Sequence, residues 1–578
     1  MCGIIGFTNV ENQVSATKDL EVMMEKIKHR GPDEHGIYID EEVALGAVRL
    51  SINDLSNGSQ PFSNEDGTVT VIYNGEIYNF HELTKNLIEK GYQLHSQCDG
   101  AVIPYLYEEY GVEFLKLIDG MYSIALWDSK KEKLVLAVDP MGIKPLYYHV
   151  TENNQLLFGS ELKGFLHKIK DIKICYKSIF QYLRYKFIPA PYTPFESVHK
   201  LKGGEVLTYS SGELSFKYIK VEEILTTNKN TLEEDLIESV YSTTMSDVDT
   251  ACIASGGLDS SFVLKIMSEQ RITPLQVYTV GYKGMHKDDE TKFASLISAQ
   301  QEALFNGIKL DYSEIPNILS KVIYYLDEPN QDPISVPFFY LMKYIGRNFK
   351  VVLTGDGADE IFGGYDRFKN WDDNGNSEGY FSELCLFNDD ELSSLFNRKP
   401  NFNRDADIEL SNVKSLRDAI NWERKYRLQS YHLNRVDKLS MAWGVEARVP
   451  FLRPKIVQHT RTYNENQYRD NGTEKAELRK AVGAHLPDWL NQRKKKPFRF
   501  PISEWLKGEL RDWVHENLLG SNCELHYFLN KKEIEKLVYN HEANLEDNSY
   551  KIWSLIVLNL YIVNFNNEYK NRKIEYAR

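Results

Sequence analysis

The sequence predicts two domains of different fold class, an α+β layered domain followed by an α/β domain built on a parallel sheet. The first two hundred residues contain short β-branched and aromatic runs, such as VTVIYNGEIYNF, that Gly, Asn and Pro interrupt, which is typical of short strands. Later in the chain, apolar strands alternate with helical patterns, which indicates a parallel sheet covered on both faces. A chain of 578 residues is also too long for one hydrophobic core.

Helical patterns interrupt the strands of the first domain at LEVMMEKIKHR and at AVIPYLYEEYGVEFLKLI. A last strand-like segment near Leu207 is followed by the polar stretch VEEILTTNKNTLEED. We therefore predict a first domain over residues 2–215 and a second over residues 216–578.

The second domain contains successive pairs of an apolar strand and a helix. TACIASGG precedes SSFVLKIMSEQ, LQVYTVGY precedes ETKFASLISAQQ, and FKVVLTGDGADE follows later. The most apolar run, WSLIVLNLYIVNF from Trp553, is too short to span a bilayer. It predicts a buried C-terminal helix.

Composition and charge restrict the class of protein. Hydrophobic residues make up 42% and charged residues 26% of the chain, as in ordinary soluble proteins. The 69 basic and 83 acidic residues give a formal charge of -14, which argues against nonspecific nucleic-acid binding. The six cysteines show no metal-ligand spacing, and the N-terminus lacks a signal-peptide pattern. We therefore expect a reducing, cytoplasmic setting, with neither nucleic acid nor membrane as a partner.

The chain begins with MCGIIGF, which places a cysteine directly after the initiator methionine. Removal of Met1, which the small side chain of Cys2 permits, would leave a thiol and a free α-amine on one residue. Because an α-amine titrates near pH 8, it can act as the base for the thiol near neutrality. The alternative is an ordinary buried cysteine that opens a strand.

A second short motif, SGGLDSS from Ser255 to Ser261, lies between an apolar strand and a helix. Glycines there let the backbone approach a polyphosphate, and the helix N-terminus supplies N–H donors. The alternative is a simple helix cap, but Asp259 beside phosphates requires a cation such as Mg²⁺ between them. The loop TGDGADEIFGGY adds further carboxylates, which should face the same crevice at the strands' carboxyl ends; these are Asp356, Asp359 and Glu360.

These motifs resemble a known family. SGGLDSS is similar to the pyrophosphatase-type loop of ATP enzymes that adenylate a substrate. The N-terminal CGI, followed by HRGPDEHG, RLSI, NGEIYN and GIKPLYY, is similar to a class II glutamine amidotransferase domain. In this order, and with DEPNQDPISVP and RVDKLSMAWGVEARVPFL further on, they make the chain resemble glutamine-hydrolysing asparagine synthetases nearly end to end.

The resemblance implies an N-terminal nucleophile domain, an α/β/β/α sandwich, followed by an ATP pyrophosphatase-type domain. The Cys2 thiolate would attack the side-chain amide of glutamine, form a thioester and release ammonia. In the second domain, ATP with Mg²⁺ would activate aspartate as an acyl-adenylate, which ammonia converts to asparagine with release of AMP. The resemblance also implies a homodimer.

The family's glutaminase residues carry over to positions that match its motifs. Asn74 and Gly75 of NGEIYN match the oxyanion hole, although Asn-Gly also favours a plain turn between strands. Arg49 of RLSI matches the group that binds the α-carboxylate of glutamine, although a single arginine is usually a solvated surface charge. The same resemblance assigns the rest of the glutamine pocket to Leu50, Ile52, Glu76 and Asp99.

In the second domain the resemblance assigns Asp259 and Asp359 to Mg²⁺, and Asp356 and Lys495 to catalysis. Lys495 belongs to the charge run RKKKPF, a pattern that is usually a solvated surface. The residues assigned to ATP are Ser255, Gly256, Gly257, Leu258, Asp259, Ser260, Val280, Thr354 and Gly355.

Four positions depart from the family pattern, and they leave the identity of the acceptor carboxylate undetermined. They are Ala101, Val138, Arg453 and Pro497. Relatives that amidate another carboxylate, such as a sugar acid or a precursor of a secondary metabolite, share all these motifs. A regulatory protein that keeps the fold with dead sites is a hypothesis of another class. The presence of Cys2, Asp259 and Asp359 argues against it.

Overall fold

The computed structural model describes residues 2–94, 96–225, 230–270, 274–284, 290–370, 378–398, 408, 410, 413–493, 500–569 and 575–576. Its N-terminal part contains two six-stranded antiparallel sheets, and its C-terminal part contains a five-stranded parallel sheet. The predicted fold classes of both parts are therefore confirmed.

The two antiparallel sheets pack face to face. In spatial order, the first sheet consists of Val198–Lys200, Tyr147–Val150, Leu156–Gly159, Cys2–Thr8, Val43–Arg49 and Glu34–Ile39. The second consists of Glu213–Tyr218, Glu205–Ser210, Lys133–Val138, Gly120–Asp128, Val69–Ile77 and Phe62–Ser63. Apolar residues of both sheets form one buried cluster between them, among them Ile4, Leu45, Ile72 and Trp127.

Helices cover the outer faces of this sandwich. The helix Gln13–Ile27 packs its buried side on the first sheet, and Phe80–Glu89 and Ile103–Tyr110 pack on the second. Because each sheet is apolar on both faces, its strands read as continuous buried runs in the sequence. The result is the predicted α/β/β/α layering.

The parallel sheet has the spatial order Leu304–Leu310, Gln276–Tyr282, Thr250–Ile253, Val351–Leu353 and Glu446–Arg448. The two strands that follow Thr250–Ile253 in the sequence lie on one side of it in the sheet, and the last two lie on its other side. Such a reversal of direction creates a crevice at the carboxyl ends of the two neighbouring strands. Both Gly-rich loops of the sequence begin at that crevice.

Helices make up most of the rest of the C-terminal part. One continuous helical stretch joins Leu416–Trp422, the π-helix Glu423–Leu433 and Asn434–Met441. Tyr176–Tyr185 is a further helix of the N-terminal part, and in the C-terminal part the helices before this stretch are Leu232–Thr243, Leu258–Glu269, Thr291–Gln300, Ile315–Leu326, Ser335–Ile345, Ala358–Phe362, Glu378–Leu384 and Asp389–Leu395. Those after it are Pro454–His459, Glu465–Tyr468, Ala476–Val482, Asp488–Asn491, Ile502–Lys507, Arg511–Leu518, Lys531–Glu542 and Ser549–Glu568. Two short strand pairs, Lys173–Ile174 with Glu575–Tyr576 and Arg469–Asp470 with Thr473–Glu474, complete the described elements.

The apolar run near the C-terminus forms the helix Ser549–Glu568, which buries residues from Ile552 to Phe565 in the core, as predicted. Among the described helices, none combines the length and the apolar character that a bilayer span requires. All six cysteines are free thiols.

Buried ion pairs join the two parts of the chain. Breaking one such pair by removing a single partner typically costs about 3–5 kcal/mol, because the other charge stays buried. Among the described residues, buried pairs that cross the interface, with their N···O distances, are Lys163–Asp327 at 2.8 Å, Lys200–Glu328 at 2.7 Å, Lys144–Asp437 at 3.2 Å, Arg30–Asp437 at 2.9 Å, Arg448–Glu76 at 3.0 Å and Arg453–Asp119 at 2.5 Å.

Candidate active sites

Cys2 opens the buried first strand and lies where the two antiparallel sheets meet. It pairs with Arg49 across the first sheet, and its backbone N–H donates to Asn74 Oδ1 of the second sheet at 3.2 Å. Only 6% of the residue is exposed. Burial raises the pKa of the Cys2 thiol, and the Leu50 N–H and the Arg49 charge offset only part of this rise. The thiol therefore needs a base to become a nucleophile near neutrality.

Asn74 and Gly75 lie inside the strand Val69–Ile77, so the alternative of an Asn-Gly turn is wrong. Asn74 Nδ2 donates to Ser123 Oγ at 3.3 Å, which aligns the amide beside Cys2. A Cβ on Gly75 would lie 2.1 Å from the Met121 carbonyl oxygen, so only glycine fits there. Asn74 and Gly75 thus sit on a regular strand, where they pair with Ser123 and Tyr122.

The Arg49 guanidinium is buried rather than solvated. Its Nη1 donates to Glu34 Oε2 at 2.9 Å, and its Nη2 donates to the carbonyl oxygens of Asn53 and Asp54 at 3.0 and 2.8 Å. Leu50 and Ile52, next along the chain, are buried in the core. Arg49 therefore fixes the loop after its strand within reach of the thiol.

Glu76 and Asp99 are both buried, and burial raises the pKa of each carboxyl group. Asp99 Oδ2 accepts from the Tyr73 hydroxyl at 2.7 Å and from the Ile77 N–H at 2.8 Å. Glu76 accepts from Asn53 Nδ2 at 2.5 Å and from Arg448 Nη2 at 3.0 Å. The structure thus brings the predicted glutaminase residues to one place around Cys2.

Gln60, which no motif of the sequence predicts as a site residue, contacts the thiol with its side chain. Gln60 Nε2 lies 3.1 Å from Cys2 Sγ and donates to the Tyr73 carbonyl oxygen at 2.8 Å, while its Oε1 accepts from the Tyr73 N–H at 2.6 Å. The amide is thereby locked in one orientation. A lone glutamine in a loop carries no sequence signal that could have identified it.

The second candidate site is a cavity of about 560 Å³ at the crevice of the parallel sheet. Every residue assigned to ATP lines it except Gly256, whose φ of +75° makes the turn of the loop instead. A Cβ on Gly355 would lie 2.8 Å from the Ser260 nitrogen, so the two loops approach as closely as glycine permits. No side chain caps the helix Leu258–Glu269, which disfavours the interpretation of the loop as a simple cap.

Asp259 and Asp359 converge on one ammonium group. Lys475 Nζ lies 2.5 Å from Asp259 Oδ2 and 2.6 Å from Asp359 Oδ1, and the lysine is buried. Burial alone would lower the pKa of Lys475, but the two carboxylates reverse this effect and raise it. Lys475 could not be predicted from the sequence, because it lies 216 residues from Asp259 and outside the motifs.

The two aspartates fit Mg²⁺ only together with a nucleotide. Among the described residues, no group of three or more His, Cys, Asp or Glu side chains could hold a metal ion. Mg²⁺ is commonly bound by one or two carboxylates together with substrate phosphates. The donor set of Asp259 and Asp359 matches that mode.

Asp356 lines the same cavity and accepts from Arg435 Nη2 at 3.3 Å. Lys495 and Pro497 lie outside the described residues. Of the other departures, Ala101 and Val138 are buried. Arg453 Nε donates to Asp119 Oδ1 at 3.1 Å across the interface of the two parts, so this departure has a structural role.

Comparison with known proteins agrees with this geometry. The family model described as a glutamine amidotransferase domain matches residues 1–219, and that described as asparagine synthase matches residues 231–564. Glutamine-hydrolyzing asparagine synthetase 1 of Bacillus subtilis (strain 168) is 31% identical over 96% of this chain and 96% of its own length. Asparagine synthetase 2 of the same organism is 32% identical over 86% of this chain and 72% of its own length.

Asparagine synthetase B of Escherichia coli (strain K12), also glutamine-hydrolyzing, is 30% identical over 86% of this chain and 82% of its own length. These matches extend across both halves, in the order in which the two candidate sites occur. The chain belongs to the asparagine synthase family, with a glutamine amidotransferase domain before its synthase domain.

Proposed function

We propose that this chain is a glutamine-dependent asparagine synthetase, an ATP-dependent carbon–nitrogen ligase that transfers the amide nitrogen of glutamine to aspartate. The observation that carries the proposal is that Arg448 contacts both candidate sites. Its Nη2 bonds Glu76 beside the thiol, and its carbonyl oxygen accepts at 3.0 Å from the N–H of Thr354, which lines the nucleotide cavity. Two sites so joined suit a reaction that makes ammonia in one and consumes it in the other.

Glutamine hydrolysis begins with removal of the Cys2 proton. Because burial raises the pKa of the thiol, the α-amine exposed by removal of Met1 is the base, with an ordinary pKa near 8. The thiolate attacks the amide carbon of glutamine. The oxygen of the tetrahedral intermediate is stabilised by Asn74 Nδ2 and the Gly75 N–H, and one such donor is typically worth about 10²–10³ in rate.

The intermediate collapses when its nitrogen takes the proton and leaves as ammonia, and water then hydrolyses the thioester to glutamate. Arg49 binds the α-carboxylate of glutamine through its guanidinium, whose two parallel N–H groups match a carboxylate. Glu76 and Asp99 bind the α-ammonium group, and Leu50 and Ile52 line the pocket.

In the synthase domain, the Ser255–Ser260 loop and the Thr354–Gly355 loop bind ATP. Asp259 and Asp359, together with the phosphates, would hold Mg²⁺, which would supply positive charge to the leaving pyrophosphate. The β-carboxylate of aspartate attacks the α-phosphorus and pyrophosphate leaves. Ammonia then attacks the acyl carbon, AMP leaves, and Asp356 takes up the excess proton. Lys495, which lies outside the described residues, is the other residue of this domain assigned to catalysis.

Several further properties belong to this proposal. The strand Glu213–Tyr218 pairs with Glu205–Ser210 along its length, so a boundary at residue 215 would divide it. We therefore propose the domain boundary between Tyr218 and Thr231, which caps the next helix. The protein is a cytoplasmic homodimer, and it acts on small molecules without nucleic acid or membrane partners.

A product assay tests the function. The purified protein is incubated with amide-¹⁵N-labelled glutamine, ATP, Mg²⁺ and a panel of carboxylic acids, and AMP and the labelled amide are measured. We expect equal amounts of AMP and ¹⁵N-asparagine with aspartate. If AMP formed with another acid but not with aspartate, that acid would be the acceptor and its amide the product. If no acid gave AMP, the proposal would be refuted.

A further inference from the structure

Arg427 lines the nucleotide cavity and has too few partners for a buried charge. It belongs to the π-helix Glu423–Leu433, lines the cavity, and is only 7% exposed. Its Nε and Nη1 have no hydrogen-bond partner among the described residues, and the nearest carboxylate, that of Glu423, lies 3.9 Å from Nε. An unpaired buried guanidinium is costly, so a ligand that pairs with it is strongly favoured.

Glu423 cannot satisfy Arg427, because its carboxylate is already engaged. Arg367 Nε donates to Glu423 Oε1 at 2.6 Å, and Arg367 Nη2 contacts Oε2. The Tyr380 hydroxyl also donates to Oε1, at 3.0 Å. Because Arg367 and Tyr380 occupy the Glu423 carboxylate in this way, Arg427 forms no hydrogen bond with it.

The orientation of Arg427 suits an incoming anion. Its Cζ lies 4.1 Å from the ring centroid of Tyr431, which also lines the cavity. Stacking on the ring fixes the guanidinium plane, and leaves the N–H groups at its edge for a planar, bidentate partner. Local π-helical segments occur frequently at functional sites, where they place side chains that a regular helix would not.

The electrostatic surroundings of Arg427 agree with this geometry. The pKa of His432 is lowered well below its usual value by burial first, and then by Arg427, Arg435 and Arg367. The pKa of Lys186 is lowered to about 7 by burial and by Arg427 and Arg367. Glu360 Oε1 lies 3.3 Å from His432 Nε2, but the positive charges still repel one another around Arg427, where the carboxylate of a ligand would relieve them.

We propose that Arg427 binds a carboxylate of the acceptor that does not react, so that the acceptor must carry two carboxylates. The inference rests on the proposed function, because the nucleotide loops line the same cavity as Arg427 and must face the reacting carboxylate. In aspartate, Arg427 takes the α-carboxylate while the β-carboxylate meets ATP. An acceptor with a single carboxylate, such as a simple sugar acid, leaves Arg427 unpaired.

The test uses Arg427→Met, Arg427→Lys and a matched control, Lys425→Met, which removes an exposed cation from the same helix. AMP release is measured with ammonium chloride as the nitrogen source. Succinate, which keeps both carboxylates of aspartate, and β-alanine, which lacks the α-carboxylate, are added as competitors. Glutaminase activity of each preparation reports whether the variant is folded.

We expect Arg427→Met to raise the KM for aspartate about 100-fold, the loss typical of removing one partner of a buried charge pair, with the KM for ATP nearly unchanged. The KM for aspartate of Arg427→Lys should lie between those of the wild type and Arg427→Met. The KM of Lys425→Met should match that of the wild type. Succinate should compete with aspartate in the wild type and lose this ability in Arg427→Met, whereas β-alanine should compete weakly in both.

An unchanged KM for aspartate in Arg427→Met, or equal competition by β-alanine and succinate in the wild type, would overturn the inference while leaving the proposed function intact. If the wild type released no AMP with any acid, both the proposed function and this inference would be refuted. These outcomes are therefore distinguishable in one set of assays.

Discussion

The contact between Gln60 and the nucleophile yields a quantitative prediction about the thiol. Gln60→Glu keeps the shape of the side chain and an oxygen for the Tyr73 N–H, but it replaces the nitrogen that lies 3.1 Å from Cys2 Sγ. A hydrogen bond to an ionised group is worth about 1.5–3 kcal/mol. Since about 1.4 kcal/mol corresponds to one pKa unit, loss of this hydrogen bond alone should raise the pKa of the thiol by about 1–2 units, and repulsion by the new carboxylate acts in the same direction.

The rising limb of the pH profile of glutamine hydrolysis should therefore move to higher pH by about 1–2 units, and the rate at pH 7 should fall about 10–100-fold. The pH dependence of iodoacetamide labelling, followed on the peptide that contains Cys2, measures the thiolate directly. Ammonia-dependent synthesis should be unchanged, because it does not use the thiol.

A matched control is Gln155→Glu. Gln155 Nε2 bonds the carbonyl oxygen of Thr8, at the opposite end of the strand that Cys2 opens. If the labelling and rate profiles of Gln60→Glu coincided with those of Gln155→Glu and the wild type, Gln60 would have no part in stabilising the thiolate. A lower rate with an unshifted profile would mean that Gln60 only supports the local structure.

Three further predictions concern the assigned sites. Cys2→Ala should abolish glutamine hydrolysis but retain synthesis from free ammonia, and loss of both activities in a folded variant would contradict separate sites. Intact-mass measurement should show a chain that starts at Cys2, and an active enzyme that retains Met1 would rule out the α-amine as base. Asp259→Asn or Asp359→Asn should reduce AMP release by orders of magnitude, because metal binding weakens, while glutamine hydrolysis continues in the same preparation. Near-normal AMP release by Asp259→Asn would show that the nucleotide site is misassigned.

The positions of the two Gly-rich loops could be predicted from the sequence because they follow a general rule. Both loops come directly after buried strands, and carboxyl ends of parallel strands share one edge of the sheet. The same local reasoning was misleading at Asn74 and Gly75, where an Asn-Gly pair favours a turn. The long apolar context of their strand, paired on both sides, outweighs that preference.

Gln60, Lys475 and Arg427 could not be predicted, because their importance lies in contacts between distant parts of the chain. Lys475 meets Asp259 from 216 residues away, and Gln60 meets Cys2 from 58 residues away. Neither spacing leaves a periodic or compositional trace. Arg427 stands out only when the partners of its neighbours are known, since Arg367 has engaged the nearby carboxylate.

The distribution of buried charge explains how a shared set of motifs can serve different acceptors. At the nucleotide end of the cavity, Asp259 and Asp359 face each other across Lys475, a chemistry suited to phosphates and their metal ion. Elsewhere in the lining of the cavity, Arg367 has Glu423 as its partner and Arg435 has Asp332 and Asp356, but Arg427 lacks an equivalent partner within the described residues. A buried charge that the protein leaves uncompensated marks where the charge of a ligand belongs. Acceptor choice can therefore change through one helix of the cavity wall while the loops that bind ATP stay the same.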